Sequence, residues 1–181
     1  LICRKAAVDG YFISPRYIEH VILIGSGPLE DKYVSEIGTH RFQNLSEEDG
    51  AILQRLIDNQ ATDEDMEKIP NIFEKSDNYC IENREEHKAD KADCEMHNKV
   101  WSEAAKLRTD GELLTSFKNI KSKIYLIQGQ GDPHPVRGVT IPLQENGVLC
   151  ETYVLEKCGH SPFMEKYAKD QFYKILLQLI T

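Results

Sequence analysis

The sequence predicts an α/β fold built on a parallel sheet of about three strands, and three observations lead there. Val21-Ile-Leu-Ile24, Ile124-Tyr-Leu-Ile127 and the run from Val148 to Leu155 are short, largely apolar and rich in β-branched residues, a composition that suits strands covered on both faces. Segments of helical periodicity lie between them, and strand-helix-strand alternation favours parallel pairing. Asp132 and His160 each stand just past such a run, in Gly129-Gln-Gly-Asp-Pro-His-Pro135 and Glu156-Lys-Cys-Gly-His-Ser-Pro162, where parallel strands deliver side chains to a crevice at the carboxyl edge of a sheet.

The elements follow in order. Leu1 to Asp9 has a helical pattern with no N-cap and no initiator methionine, so the chain is expected to begin inside an element. After a loop at Gly10 to Pro15, the first strand is expected over Ile18 to Ile24, ended by the turn Gly25-Ser-Gly-Pro28. Ser46-Glu-Glu-Asp49 resembles a capping box ahead of Ile52, Leu53, Leu56 and Ile57, which share one helical face. Thr62-Asp-Glu-Asp65 repeats the start signal, and Pro70 is expected to limit the helix that follows. A third helix is expected from about Cys94 to Leu107, with Val100, Trp101 and Ala104 on one side. The second strand covers Ile124 to Ile127. Val136 to Asn146 should form a short helix stopped by Gly147, which tolerates the left-handed cap conformation. The third strand follows, with Tyr153-Val-Leu155 as its buried end. Ala168, Phe172, Ile175, Leu176 and Leu179 then mark a closing amphipathic helix. The expected division is a sheet-bearing core at 1–28 and 118–181 and an inserted all-helical lid at 29–117.

Composition narrows the functional classes. With 181 residues and 40% apolar content, the chain can bury a real core. Its apolar runs fall far short of the roughly 20 residues of a membrane span, and no basic-then-apolar leader opens it, so no membrane partner is expected. Cys3, Cys80, Cys94, Cys150 and Cys158 are odd in number, scattered and without a C-x-x-C pair. That usage points to a reducing compartment, the cytoplasm, and to cysteines that serve as small core residues. The net charge is -8, and Pro28 to Thr115 holds 22 acids against 11 bases. Nucleic acid, which needs the opposite sign, is not an expected partner. A cationic or amine-bearing small molecule is tolerated better, and a solvated acidic helix face accounts for the charge equally well.

An acid and a histidine at consecutive strand ends are two thirds of an acyl-transfer triad. A carboxylate accepting from one imidazole nitrogen sets the tautomer and frees the other nitrogen to take a proton, which makes Asp132 the orienter and His160 the base. No Gly-x-Ser-x-Gly occurs in the sequence. Ser26 lies between two glycines at a strand end, but the spacing is wrong for a nucleophile elbow and the turn to Pro28 explains the small residues. Ser161 neighbours the base, and its side chain is expected to point away. Pro133-His134-Pro135 reads either as a pocket wall or as a plain rigid turn. Cys80, His87, Cys94 and His97 have zinc-ligand chemistry but match no standard finger spacing, and chance placement in a charged lid explains them too. Glu85, Glu86 and Asp90 could receive a substrate amine or simply face water. The reading therefore includes no metal and no cofactor.

Gly129-x-x-Asp132-Pro-His-Pro135, Gly138-Val139, Lys157-Cys-Gly-His160-Ser-Pro162 and the closing helix resemble the C-terminal part of an α/β-hydrolase, nearest the proline-iminopeptidase-like branch. Val21 to Pro28 resembles the strand before that family's helical cap, and Leu1 to Asp9 the helix after its nucleophile elbow. The resemblance implies an α/β-hydrolase portion of about three parallel strands with an inserted helical cap. It implies Asp132 and His160 as triad acid and base, no cofactor, and a small-molecule or short-peptide substrate cleaved at a peptide, amide or ester bond. In the family the serine and its oxyanion-hole amides precede the equivalent of Leu1, so the chain by itself is expected to be inactive. An unpaired apolar edge on the first strand is then expected, covered by an upstream hydrolase half or by self-association. A non-catalytic fragment or binding module, with the lid engaging a ligand, is the alternative.

Overall fold

The computed structural model describes residues 19–58, 60–82 and 94–181, without the side chains of 94–98 and 101. Three strands, β1 (His20–Ile24), β2 (Lys123–Gly129) and β3 (Cys150–Leu155), form one parallel sheet in the order β1-β2-β3. Val21 lies opposite Ile124, and Ile127 opposite Tyr153. The middle strand is buried from Ile124 to Gly129, as expected for a continuous apolar run inside a parallel sheet. The outer strands depart from that expectation. Ile24 is 38% exposed and Val154 47%, because among the described residues each outer strand has one neighbour and helices close over its far face only in part. Tyr153-Val-Leu155 is therefore buried only at Leu155.

Between β1 and β2 the described residues make a single-turn 3-10 helix, Asp31–Tyr33, and five α-helices: α1 (Val34–Gln43), α2 (Glu47–Ile57), α3 (Asp63–Asp77), α4 (Cys94–Thr109) and α5 (Glu112–Lys118). Helix α6 (Arg137–Glu145) links β2 to β3, and α7 (Lys169–Ile180) closes the chain. Ser46 caps α2 through the Asp49 N–H, and Thr62 with Asp65 forms a complete reciprocal capping box on α3, as their spacing predicts. Pro70 does not limit α3, which runs seven residues beyond it to Asp77. The proline sits on the exposed side of the helix, while Ile69 and Ile72 are buried on the other, and that packing outweighs one lost main-chain hydrogen bond. Ile57, expected on the apolar face of α2, is 54% exposed at the helix end. Gly147 ends α6 with φ +71°, the left-handed cap foreseen.

One sheet face carries Val21, Leu23, Ile124 and Leu126 against Leu113 and Phe117 of α5, Val139 and Leu143 of α6, and Leu29. The opposite face packs Ile127 and Leu155 with Cys158, Ala168, Phe172 and Ile175. Ile52, Leu53, Ile69 and Ile72 form a separate cluster between α2 and α3. A core at 1–28 and 118–181 with a lid at 29–117 is kept as a proposal resting on the separate α2–α3 cluster, although Leu29, Leu113 and Phe117 of the lid range pack on the sheet. Among the described residues no helix is long and apolar enough to cross a membrane. Cys158 is a core residue, whereas Cys80 and Cys150 are only partly buried, and none of the three is in a disulfide. The Leu1 to Asp9 pattern lies outside the described residues.

Phe117 is fully buried against the central strands. Phe117→Ala is expected to lower unfolding stability by about 3–5 kcal/mol in urea titrations, the range for removing a buried aromatic ring.

Candidate active site

Parallel neighbours β2 and β3 end on the same sheet edge, and their following loops are hydrogen-bonded together there. The Gln130 N–H donates to the Leu155 carbonyl and the Gly131 N–H to the Cys158 carbonyl, both at 2.8 Å. A Cβ on Gly129 would lie 2.1 Å from the Gly159 carbonyl oxygen and 2.3 Å from that of Cys158, so only glycine allows this approach. Its φ is not positive; the reason for glycine here is proximity, not turn geometry. The Asp132 N–H then turns back to the Gly129 carbonyl at 3.2 Å, which sets its side chain beneath the loop after β3.

Asp132 Oδ2 lies 3.1 Å from Nδ1 of His160, so the two residues singled out in the sequence meet. Asp132 Oδ1 lies 2.8 Å from Nδ1 of His134 and also accepts from the His134 main-chain N–H at 2.9 Å. The Asp132 carboxylate is buried, the His160 ring partly exposed, and the two imidazoles stand 4.6 Å apart centre to centre. Gln128, wholly buried at the end of β2, donates to the main-chain carbonyls of His134 and Ser26 and accepts from the Ser26 N–H. Gly25 has φ +54°, and a Cβ there would come within 2.5 Å of the His160 carbonyl oxygen, so the turn after β1 packs directly under the histidine.

From the other side, the segment after α3 grips the histidine loop. The His160 N–H donates to the Asp77 carbonyl at 2.7 Å, and the Ser161 N–H to Asn78 Oδ1 at 3.1 Å. Glu165, completely buried, accepts from the main-chain N–H groups of Gly159, Tyr79 and Cys80 at 2.8, 2.7 and 2.6 Å. Arg41 of α1 holds the Asp77 carboxylate through two hydrogen bonds of 2.8 and 2.6 Å. Sequence reasoning missed Arg41, Asp77, Gln128 and Glu165. Gln128 had a signal, a polar residue closing an apolar strand run. Glu165 had none, since a carboxylate binding main-chain donors from a distant segment leaves no spacing pattern.

The electrostatics follow from burial and donors. Burial pushes the Asp132 carboxyl upward, yet hydrogen bonds from His134 and His160 outweigh it and hold the group down at about 2. Burial lowers His134 from its ordinary 6.5, outweighing the upward pull of Asp132, so His134 is a neutral donor to an ionised carboxylate. Burial first, then the Glu165 and Asp132 carboxylates, push the Cys158 thiol up to about 12, so this cysteine beside the histidine loop is no thiolate nucleophile. Ser26 is buried, its hydroxyl 3.3 Å from the Gly27 carbonyl.

Asp132, His134 and His160 bring one ligand atom each within 4.8 Å of the others. Hydrogen bonds from each imidazole to its own carboxylate oxygen account for that proximity, and a cation would have to displace both protons. Of the cysteine and histidine set, His87 and the side chains of Cys94 and His97 lie outside the described residues, as do Glu85, Glu86 and Asp90.

No family model matches the sequence, and no curated protein is similar to it by sequence. Solved structures are similar in fold. VinJ is 10% identical with a TM-score of 0.60, and the comparison covers 97% of this chain and 62% of that one. A proline iminopeptidase from Mycobacterium smegmatis is 13% identical with a TM-score of 0.59, covering 97% of this chain and 61% of that one. The chain thus spans about three fifths of the length of each.

The two shifted groups make stability depend on pH in two stages. His134 titrates lower folded than unfolded, so its contribution is complete above about pH 6.5 and is eroded as pH falls below that. Asp132 is also depressed, and its contribution of about 2 kcal/mol is lost between about pH 4 and pH 2. Urea unfolding as a function of pH should show both stages, and Asp132→Asn should remove the lower one. Glu165→Gln turns one acceptor toward main-chain donors into an N–H, and about 2–3 kcal/mol of stability should go with it. Sheet order, crossovers and structural neighbours together show that this chain has the fold of an α/β-hydrolase portion.

Proposed function

We propose that this chain is the acid-and-base portion of a serine hydrolase acting on a peptide, amide or ester bond. The observation that carries the reading is Asp132 Oδ2 at 3.1 Å from His160 Nδ1, on loops that leave adjacent parallel strands. In this reading Nδ1–H of His160 donates to Asp132, and Nε2 is the base. A serine hydroxyl from outside these 181 residues attacks the substrate carbonyl carbon as Nε2 takes its proton. The tetrahedral intermediate collapses, the scissile bond breaks, and His160 returns the proton to the leaving group. A water molecule repeats the sequence on the acyl-enzyme, its proton passing through Nε2 back to the serine. Asp132 stays ionised throughout and stabilises the imidazolium. The helices between β1 and β2 act as a cap that admits a small molecule or short peptide.

The likeness in fold to a proline iminopeptidase makes a peptide bond one candidate for cleavage, and the acidic excess of Pro28 to Thr115 suits a substrate with a free amine.

A fluorophosphonate probe tests the proposal. Residues 1–181 alone should take no label, while a longer product of the same reading frame should be labelled at one upstream serine. In that longer protein His160→Ala should lower kcat by about 10⁶-fold and Asp132→Asn by about 10⁴-fold. Label on Ser26 or Ser161 would contradict an external nucleophile, and a longer protein that never reacts would favour the binding-module alternative.

A further inference from the structure

A carboxylate that only orients one imidazole needs one donor on one oxygen. Asp132 has three donors, and two of them belong to His134. We infer that His134 is a positioning residue acting through Asp132: its ring and main-chain N–H groups occupy Oδ1 and reserve Oδ2 for His160. The inference deepens the dyad reading proposed above and rests on it.

Three physical features support the assignment. The His134 ring is buried, so water cannot substitute for its donor. Its backbone is held by the flanking Pro133 and Pro135, the second of which restricts His134 to extended conformations, and by the buried Gln128 amide on its carbonyl. The backbone that carries the imidazole is therefore fixed by the chain itself, and its N–H also reaches Asp132 Oδ1. The ring also stands 4.6 Å from His160. An imidazolium there would repel the proton that His160 must accept, whereas a neutral His134 donates to Asp132 without opposing that step.

The other ionisable groups around the pair do not duplicate this role. Arg41 from α1 is committed to Asp77, Asp77 offers His160 its main-chain carbonyl, and Glu165 faces main-chain N–H groups. The Cys158 thiol remains protonated. Only His134 and His160 bring ring donors to the carboxylate among the described residues.

The test uses this chain itself and needs no hydrolysis. Asn and Leu are close in shape, but Asn keeps an N–H where the His Nδ1–H stood and Leu does not. Carboxyl ¹³C NMR follows Asp132 and ring ¹⁵N NMR follows the His160 tautomer in the parent, His134→Asn and His134→Leu. The parent and His134→Asn should keep a depressed Asp132 midpoint and the Nδ1–H form of His160. In His134→Leu the Asp132 midpoint should rise by about one pH unit or more, a tenfold loss of carboxylate preference, and His160 should populate both tautomers. An unchanged midpoint and tautomer in His134→Leu overturns the inference.

Should both variants fail to fold, the parent still decides: the His134 ring resonances must move with the titration of Asp132, and independence of the two overturns the inference as well. A parent His160 that lacks the Nδ1–H tautomer would instead sink the dyad reading itself, whatever His134 does.

Discussion

Gly129 packs against the carbonyls of Cys158 and Gly159 so tightly that a Cβ there would sit within 2.3 Å of both oxygens. Both loops must pass this point before they deliver Asp132 and His160. If the loops were held apart by one methyl group, the hydrogen bonds from Gln130 and Gly131 across the gap would be lost with the approach that makes them. The carboxylate and the imidazole would then face each other across a gap too wide for a hydrogen bond. The Asp132–His160 contact is thus a consequence of main-chain packing at the end of β2 and β3.

A second constraint acts from above. Gly159 is also pressed against the Asp77 carbonyl, where a Cβ would lie 2.3 Å from the oxygen, and Glu165 collects main-chain donors from both the histidine loop and the segment after α3. The helical excursion is consequently bonded to the loop that carries His160, although the apolar cluster between α2 and α3 is separate from the sheet's. A buried carboxylate with three main-chain donors is well satisfied, which makes its burial tolerable. Arg41 on Asp77 extends the same brace to α1. These groups tie the helices directly to the loop that places His160.

The charge state of the site follows from counting donors. Asp132 is buried, which alone would favour its neutral form, yet the donors on its two oxygens keep it ionised. His134 is buried with one good acceptor and stays neutral. An ionised acid beneath a partly exposed imidazole is the arrangement that hydrolytic triads need in order to stabilise a transient imidazolium. The structural neighbours share the fold over about three fifths of their length.

Local chemistry was legible in the sequence wherever a short segment carries its own instruction. Three apolar runs announced three parallel strands, Ser46 and Thr62 announced helix starts, Gly147 a helix end, and two polar residues past strand ends announced a shared edge. Pro70 misled because its propensity is local while the burial of Ile69 and Ile72 is not. His134 looked like a turn residue because the flanking prolines explain the backbone and say nothing of where the ring goes. The sequence by itself determined that Asp132 and His160 stand on loops just past the ends of two parallel strands. Only the tertiary structure decided that His134 shares the carboxylate and that Glu165, Gln128 and Asp77 hold the loops, because these hydrogen bonds, between residues 2 to 102 apart, depend on packing geometry that no spacing pattern encodes.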